Sequence, residues 1–166
     1  MQAGKIVFTG AHQNMGFDRY KDTMKDVVKS LNKLTAGIFI ADRTKSLKDC
    51  YLEVTSICNV GPFFAWQVTC DLIECGCLPN CTENDFAKLG NGAVKGIQLI
   101  FGKECKSEIQ QVDAAMLLRS VQNQVFADLG VHFPRFRDKE LTLKDIEHAL
   151  CEFNKYYAIQ RSLRAR

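Results

Sequence analysis

No apolar run in this 166-residue chain approaches the roughly 18–20 residues that a membrane span needs, so no spanning helix is expected. A cationic start followed by an apolar stretch is also lacking, which argues against a signal peptide. There is no Ser/His/Asp order, no H-E-x-x-H and no G-x-x-x-x-G-K-[ST] loop, so hydrolase and nucleotide-kinase chemistry have no support. Internal repeats, low-complexity tracts and a domain boundary are missing too. Residues 1–166 are therefore expected to form a single domain. Charge of one sign is barely in excess: 22 Lys+Arg against 19 Asp+Glu leave a net +3. Polyanion binding would need a local patch. Lys155, Arg161, Arg164 and Arg166 offer one, although cations at a helix end also simply favour the helix dipole.

Cysteine, by contrast, is plentiful. Eight thiols lie along the chain without the compact framework of a small secreted domain, and several fall inside apolar helical patterns. An intracellular, reducing compartment is expected. Cys70, Cys75, Cys77 and Cys81 form one cluster that could bind metal. Structural zinc favours paired C-x2-4-C knuckles, and the single residue between Cys75 and Cys77 makes joint chelation awkward. Free thiols, with no metal and no cofactor, are the expectation.

Helical periodicity dominates the rest. Tyr20, Met24, Val27, Val28, Leu31 and Leu34 recur at three and four, predicting an amphipathic helix over 18–34. Residues 6–9 read as an extended lead-in, and 37–41 as the best strand candidate, with helix or buried loop as alternatives because nothing comparable supplies strand partners. A helix is predicted from about Ser46 to Ser56. Gly61-Pro62 then opens another, with proline in the first turn. This one, nearly apolar all round from Phe63 to Cys75, is expected to be a central buried helix. Thr82 with Asp85 resembles a capping arrangement for a short helix reaching Leu89. A glycine turn and a helix through Phe101 follow. Ser107 with Gln110 offers a capping box for a helix to Leu129, whose apolar stripe is Ile109, Val112, Ala115, Met116, Val121, Val125 and Leu129; Gly130 and Pro134 end it. Thr142 with Asp145 opens the last helix. The fold class is mainly α, a single helical domain.

Three groups of residues can carry chemistry. Short helix, glycine turn, helix is the layout of a helix-hairpin-helix unit. There Gly90 and Gly92 would let backbone N–H groups approach a phosphate, with Asn91 between them and Lys95 adding charge. An ordinary helix–helix turn is the plainer alternative. Gln67 and Asp71 lie four apart on one face of an apolar helix, where unsatisfied polar groups would cost about 1–3 kcal/mol each. Gln67 could read a base edge and Asp71 could serve as general base, or both could belong to a structural hydrogen-bond network. Glu147, His148, Glu152 and Lys155 crowd the final helix, which could equally be a solvated charged face.

The succession Val7-Phe8-Thr9-Gly10-Ala11, Gly16-Phe17-Asp18-Arg19-Tyr20, Gly61 to Gln67 with Asp71-Leu72, Gly90-Asn91-Gly92-Ala93-Val94-Lys95-Gly96, and Asp145 to Tyr156 resembles one group. It is the helical domain of 5-hydroxymethyluracil DNA kinases and the related α-glutamyl/putrescinyl thymine pyrophosphorylases. That resemblance implies a fold like the helix-hairpin-helix DNA glycosylases and a role in thymine hypermodification. By matched position, Gly90, Asn91, Gly92 and Lys95 would dock DNA. Gln67, Asp71, Glu147, Glu152 and Lys155 would line the site for an extruded base in duplex DNA.

The expected reaction is that of a pyrophosphorylase-type transferase, placing an amine on an activated 5-hydroxymethyl group. Asp71 or Glu152 would be the base, and Lys95 or Lys155 would stabilise phosphate charge. Two departures stand out. Asn91 replaces the proline of the group's Gly-Pro-Gly-Ala turn, and the kinase module that precedes this domain in the kinases has no counterpart within these 166 residues. The rival expectation is therefore a non-catalytic structural subunit of a larger protein assembly that keeps the fold.

Overall fold

The computed structural model describes residues 46–56, 60–131 and 140–164, together with the helical, exposed Lys25. The helix expected over 18–34, the lead-in at 6–9, the strand at 37–41 and the stop at Pro134 fall outside the described residues, Lys25 aside. Five helices make up the rest: α1 (Leu47–Thr55), α2 (Pro62–Glu74), α3 (Asn91–Phe101), α4 (Glu108–Asp128) and α5 (Leu143–Arg164). No strand occurs among the described residues, so the fold is mainly α. None of these helices is long and apolar enough to cross a membrane.

Local chemistry sets most of the boundaries. Ser46 caps α1 through the Asp49 N–H, and Pro62 sits in the first turn of α2 behind an extended Gly61. The Ser107–Gln110 box forms reciprocally at the start of α4. Thr142 and Asp145 exchange bonds at the start of α5, the Thr142 N–H donating to Asp145 Oδ2 at 2.9 Å and the Asp145 N–H to Thr142 Oγ1 at 3.2 Å. α2 ends at Gly76, with φ 72°. There the Cys77 N–H reaches Leu72 O and the Gly76 N–H reaches Ile73 O, a paired closure that satisfies the last carbonyls. Gly130 closes α4 in the same way.

Three sequence expectations need correction. First, no helix spans residues 85–89. The Thr82–Asp85 bonds do form, but the next residues serve α5 instead. Asn84 Oδ1 accepts from the Leu143 N–H and Glu83 O from the Lys144 N–H. Tertiary capping of a 22-residue helix outweighs a marginal seven-residue one.

Second, α2 is not buried all round. It buries Ala65, Trp66, Thr69 and Cys70, while Phe63, Asp71 and Glu74 are exposed. Its inward face meets α1 on one side and reaches α5 through single side chains.

Third, the apolar stripe of α4 is not its core face. Ala115 is buried, whereas Ile109, Met116, Val121, Val125 and Leu129 are exposed. Gln111 and Gln122 are buried in their stead because they satisfy loop backbone. Gln111 donates to Lys106 O, and Gln122 both accepts from the Leu141 N–H and donates to Leu141 O.

The core joins Leu47, Cys50, Tyr51 and Val54 of α1 to Trp66 and Cys70 of α2, Ile97 of α3 and Ile146 and Leu150 of α5. Burial pushes the Cys50 thiol up to about 11 and the Cys70 thiol to about 12, so both stay protonated and behave as small apolar groups. No set of three metal-binding side chains is assembled among the described residues. Cys70 points into the core while Cys75 and Cys77 are exposed.

One buried cation fixes how α5 is seated. Lys144, 6% exposed, directs its ammonium to Glu74 at the end of α2 and to Glu83. Burial alone would lower its pKa, but the bonds from Glu74 and Glu83 outweigh it and raise the group to about 12. A raised folded-state value stabilises fully below the unfolded lysine value and fades as pH climbs through the folded one. Stability is therefore expected to fall between about pH 10.5 and 12 in urea titrations. Lys144→Met should flatten that limb; an unchanged limb in the variant would assign it to other groups.

Candidate functional site

α3 and α5 pack closely because their contact lacks side chains on one partner. A Cβ on Gly92 would stand 2.5 Å from Cys151 Sγ. One on Gly96 would drive into the carbonyl oxygen of Leu150, with the carbonyl carbon at 3.1 Å. Gly92 and Gly96 are four apart and thus on one face of α3. Their primary structural role is the approach of two helix backbones. Gly92 also lies inside α3 and not in a turn: the helix begins at Asn91, with Gly90 as its extended N-cap. With residues 85–89 not helical, the first helix of the expected hairpin is not formed there.

The close crossing carries Glu147 of α5 to the N-terminus of α3. Glu147 is 5% exposed. Oε2 accepts from the Trp66 indole N–H at 3.1 Å, and Oε1 accepts from the Gly90 N–H at 3.3 Å. Three elements thus meet at one carboxylate. A carboxylate at a helix N-terminus is favoured by the dipole, and it answers one of the N–H groups left over there. No lysine or arginine among the described residues pairs with it. The nearest cationic candidate is His148, whose Nε2 lies 3.5 Å from Oε2 and has no hydrogen-bond partner among the described residues.

The side chains of the other expected site residues make no hydrogen bond or ion pair with Glu147 among the described residues. Gln67 is half-buried and Asp71 exposed. With Glu74 at i+7 they share the face of α2 whose last member reaches Lys144 of α5. Glu152 and Lys155 pair with each other at 2.5 Å on the exposed side of α5, and the bond from Glu152 holds the Lys155 ammonium above the ordinary lysine range. Between them and Glu147 lies Cys151, whose thiol is raised chiefly by burial. At the start of α3, Asn91 and Lys95 are exposed one turn apart, while Gly90 and Gly92 are half-buried.

Sequence reasoning named Glu147 and, beside it, His148, but missed Trp66. Trp66 is the chain's single tryptophan and adjoins Gln67, a signal that an indole N–H in an apolar helix needs a partner. Two cavities among the described residues, of about 240 Å³ and 410 Å³, are lined by other side chains.

No curated protein and no solved structure matches the chain. A family model does, and it covers residues 1–163, taking in α1 to α5 with the Trp66–Glu147–Gly90 junction. That span is nearly the whole sequence, so the chain belongs to the family described as 5-hmdU DNA kinase, helical domain.

Proposed function

We propose that this domain docks on DNA and transfers an amine onto an activated 5-hydroxymethyl group of an extruded uracil-type base. The observation that carries the reading is the buried Glu147 carboxylate, which joins α2, the start of α3 and α5 in a chain of this family. The exposed Asn91 and Lys95, with the N–H of Gly92 in the first turn of α3, form the phosphate-docking edge; Gly90 leads the chain into it, its own N–H being taken by Glu147. Gln67 and Asp71 on α2 and Glu147, Glu152 and Lys155 on α5 border the base. In the reaction, the amine nitrogen attacks the 5-methylene carbon and the carbon–oxygen bond to the phosphate breaks. The leaving group departs with the electron pair, and a carboxylate among Asp71, Glu147 and Glu152 takes the amine proton. Extrusion in the manner of glycosylase-like folds belongs to the same proposal.

A second reading has its own support. Glu152 and Lys155 neutralise each other on the surface and Asp71 is exposed. That arrangement suits a structural subunit that keeps the fold without the chemistry. One experiment separates the two: mass spectrometry of nucleosides after DNA phosphorylated at 5-hydroxymethyluracil is incubated with the protein and candidate amines. Adduct formation, with duplex affinity falling as salt rises from about 50 to 200 mM, is the expected outcome. Salt-dependent binding with no adduct would favour the structural subunit, and salt-insensitive or undetectable binding would remove DNA docking altogether.

A further inference from the structure

We infer that Trp66 is a positioning residue for Glu147, acting through its indole N–H as well as its bulk; the catalytic part of this inference rests on the function proposed above. A buried carboxylate without a lysine or arginine partner has its orientation set by the neutral donors that reach it. Among the described residues there are two, one per oxygen: the indole of Trp66 at 3.1 Å and the N–H of Gly90 at 3.3 Å. The Gly90 donor caps α3, which packs on α5 through Gly92 and Gly96, so its position is fixed by that close crossing. Trp66 is fixed independently. It is 2% exposed, and its ring stands edge-on to Phe86 with centroids 5.7 Å apart and planes at 86°. Phe86 in turn packs on Tyr51 of α1 at 5.5 Å.

The indole is therefore held on its ring by Phe86, which Tyr51 backs, while its only polar atom faces the carboxylate. That is how an outer group orients an inner one: rigid packing behind, one directed bond in front. Removing the bond while keeping an aromatic ring frees Oε2 to turn toward His148, whose Nε2 is 3.5 Å away.

The test uses the full-length chain as wild type, Trp66→Phe, Glu147→Gln and the double variant. Because the chain has one tryptophan, 15N-labelled protein gives a single indole N–H resonance, which reads the bond without any reaction. Glu147→Gln is expected to move that resonance, replacing a charged acceptor by a neutral one. Trp66→Phe is expected to lower adduct formation about ten-fold, a usual loss for an orienting partner, with duplex affinity held within about two-fold. Added to Glu147→Gln, it should bring no further loss, because both act through one carboxylate.

An additive double variant, or an indole resonance indifferent to Glu147→Gln, would overturn the inference and leave Trp66 as packing alone. Should the wild type form no adduct, it is the proposed reaction that fails. The resonance then decides on positioning alone: a shift upholds it and no shift rejects it.

Discussion

Gly96→Ala is expected to destabilise the domain by about 2 kcal/mol, the net of two opposed effects. Alanine favours a helix interior by about 1 kcal/mol over glycine. Against that, its Cβ would meet the backbone carbonyl of Leu150 inside van der Waals contact. A backbone atom in a 22-residue helix cannot rotate away, so α3 and α5 must separate, and overpacking of that kind costs about 3 kcal/mol. The melting temperature should fall by roughly 4–8 °C for a chain of this size. Gly92→Ala differs in kind because its obstacle is the Cys151 thiol at 2.5 Å, a side chain that can be removed. Combining it with Cys151→Ala should recover most of the single variant's loss, a coupling that calorimetry of the four proteins reads directly. A Gly96→Ala protein as stable as wild type would show that the two helices do not need this approach.

Trp66→Ala is expected to cost at least about 4 kcal/mol. Deleting a buried indole costs about 3–5 kcal/mol through lost transfer energy and the cavity left behind. The edge-on contact with Phe86 disappears with it. Glu147 Oε2 would also lose its indole donor, and a buried acceptor left unmet adds about 1–3 kcal/mol where water cannot enter. Trp66→Phe keeps much of the volume, so urea unfolding should rank it between wild type and Trp66→Ala. Equal losses in the two variants would mean that the ring itself contributes little and that the N–H bond dominates.

Much of this architecture was readable where a boundary is decided by adjacent residues. Ser46, Pro62, the Ser107–Gln110 box and the Thr142–Asp145 pair each announce a helix start, and each helix starts there. What could not be read depends on partners far along the chain. The Thr82–Asp85 pair looks like the other caps, yet Glu83 and Asn84 are drawn to residues about sixty positions away. On α4, hydrophobic spacing chose one face and buried glutamine–backbone bonds chose another.

The glycines show the same division. Spacing alone revealed that bare backbone mattered near Gly92, but only the fold identifies the visitor as α5. The site was half legible for a related reason. Glu147 was named from its place in a charged helix, whereas its two donors come from α2 and from the start of α3.

The seating of α5 also bears on the order in which the protein acquires its parts. Lys144 reaches residues 61 and 70 positions away, and the Trp66–Glu147 bond spans 81. Closing such long loops is entropically unfavourable until enough contacts form together. The helices with their own caps can form early, but the junction at Glu147 exists only after the slowest, least local contacts have closed. Partial unfolding that releases the start of α5 would dismantle that junction while leaving α1, α2 and α4 helical, so the chain's helicity would outlast the Trp66–Glu147–Gly90 junction.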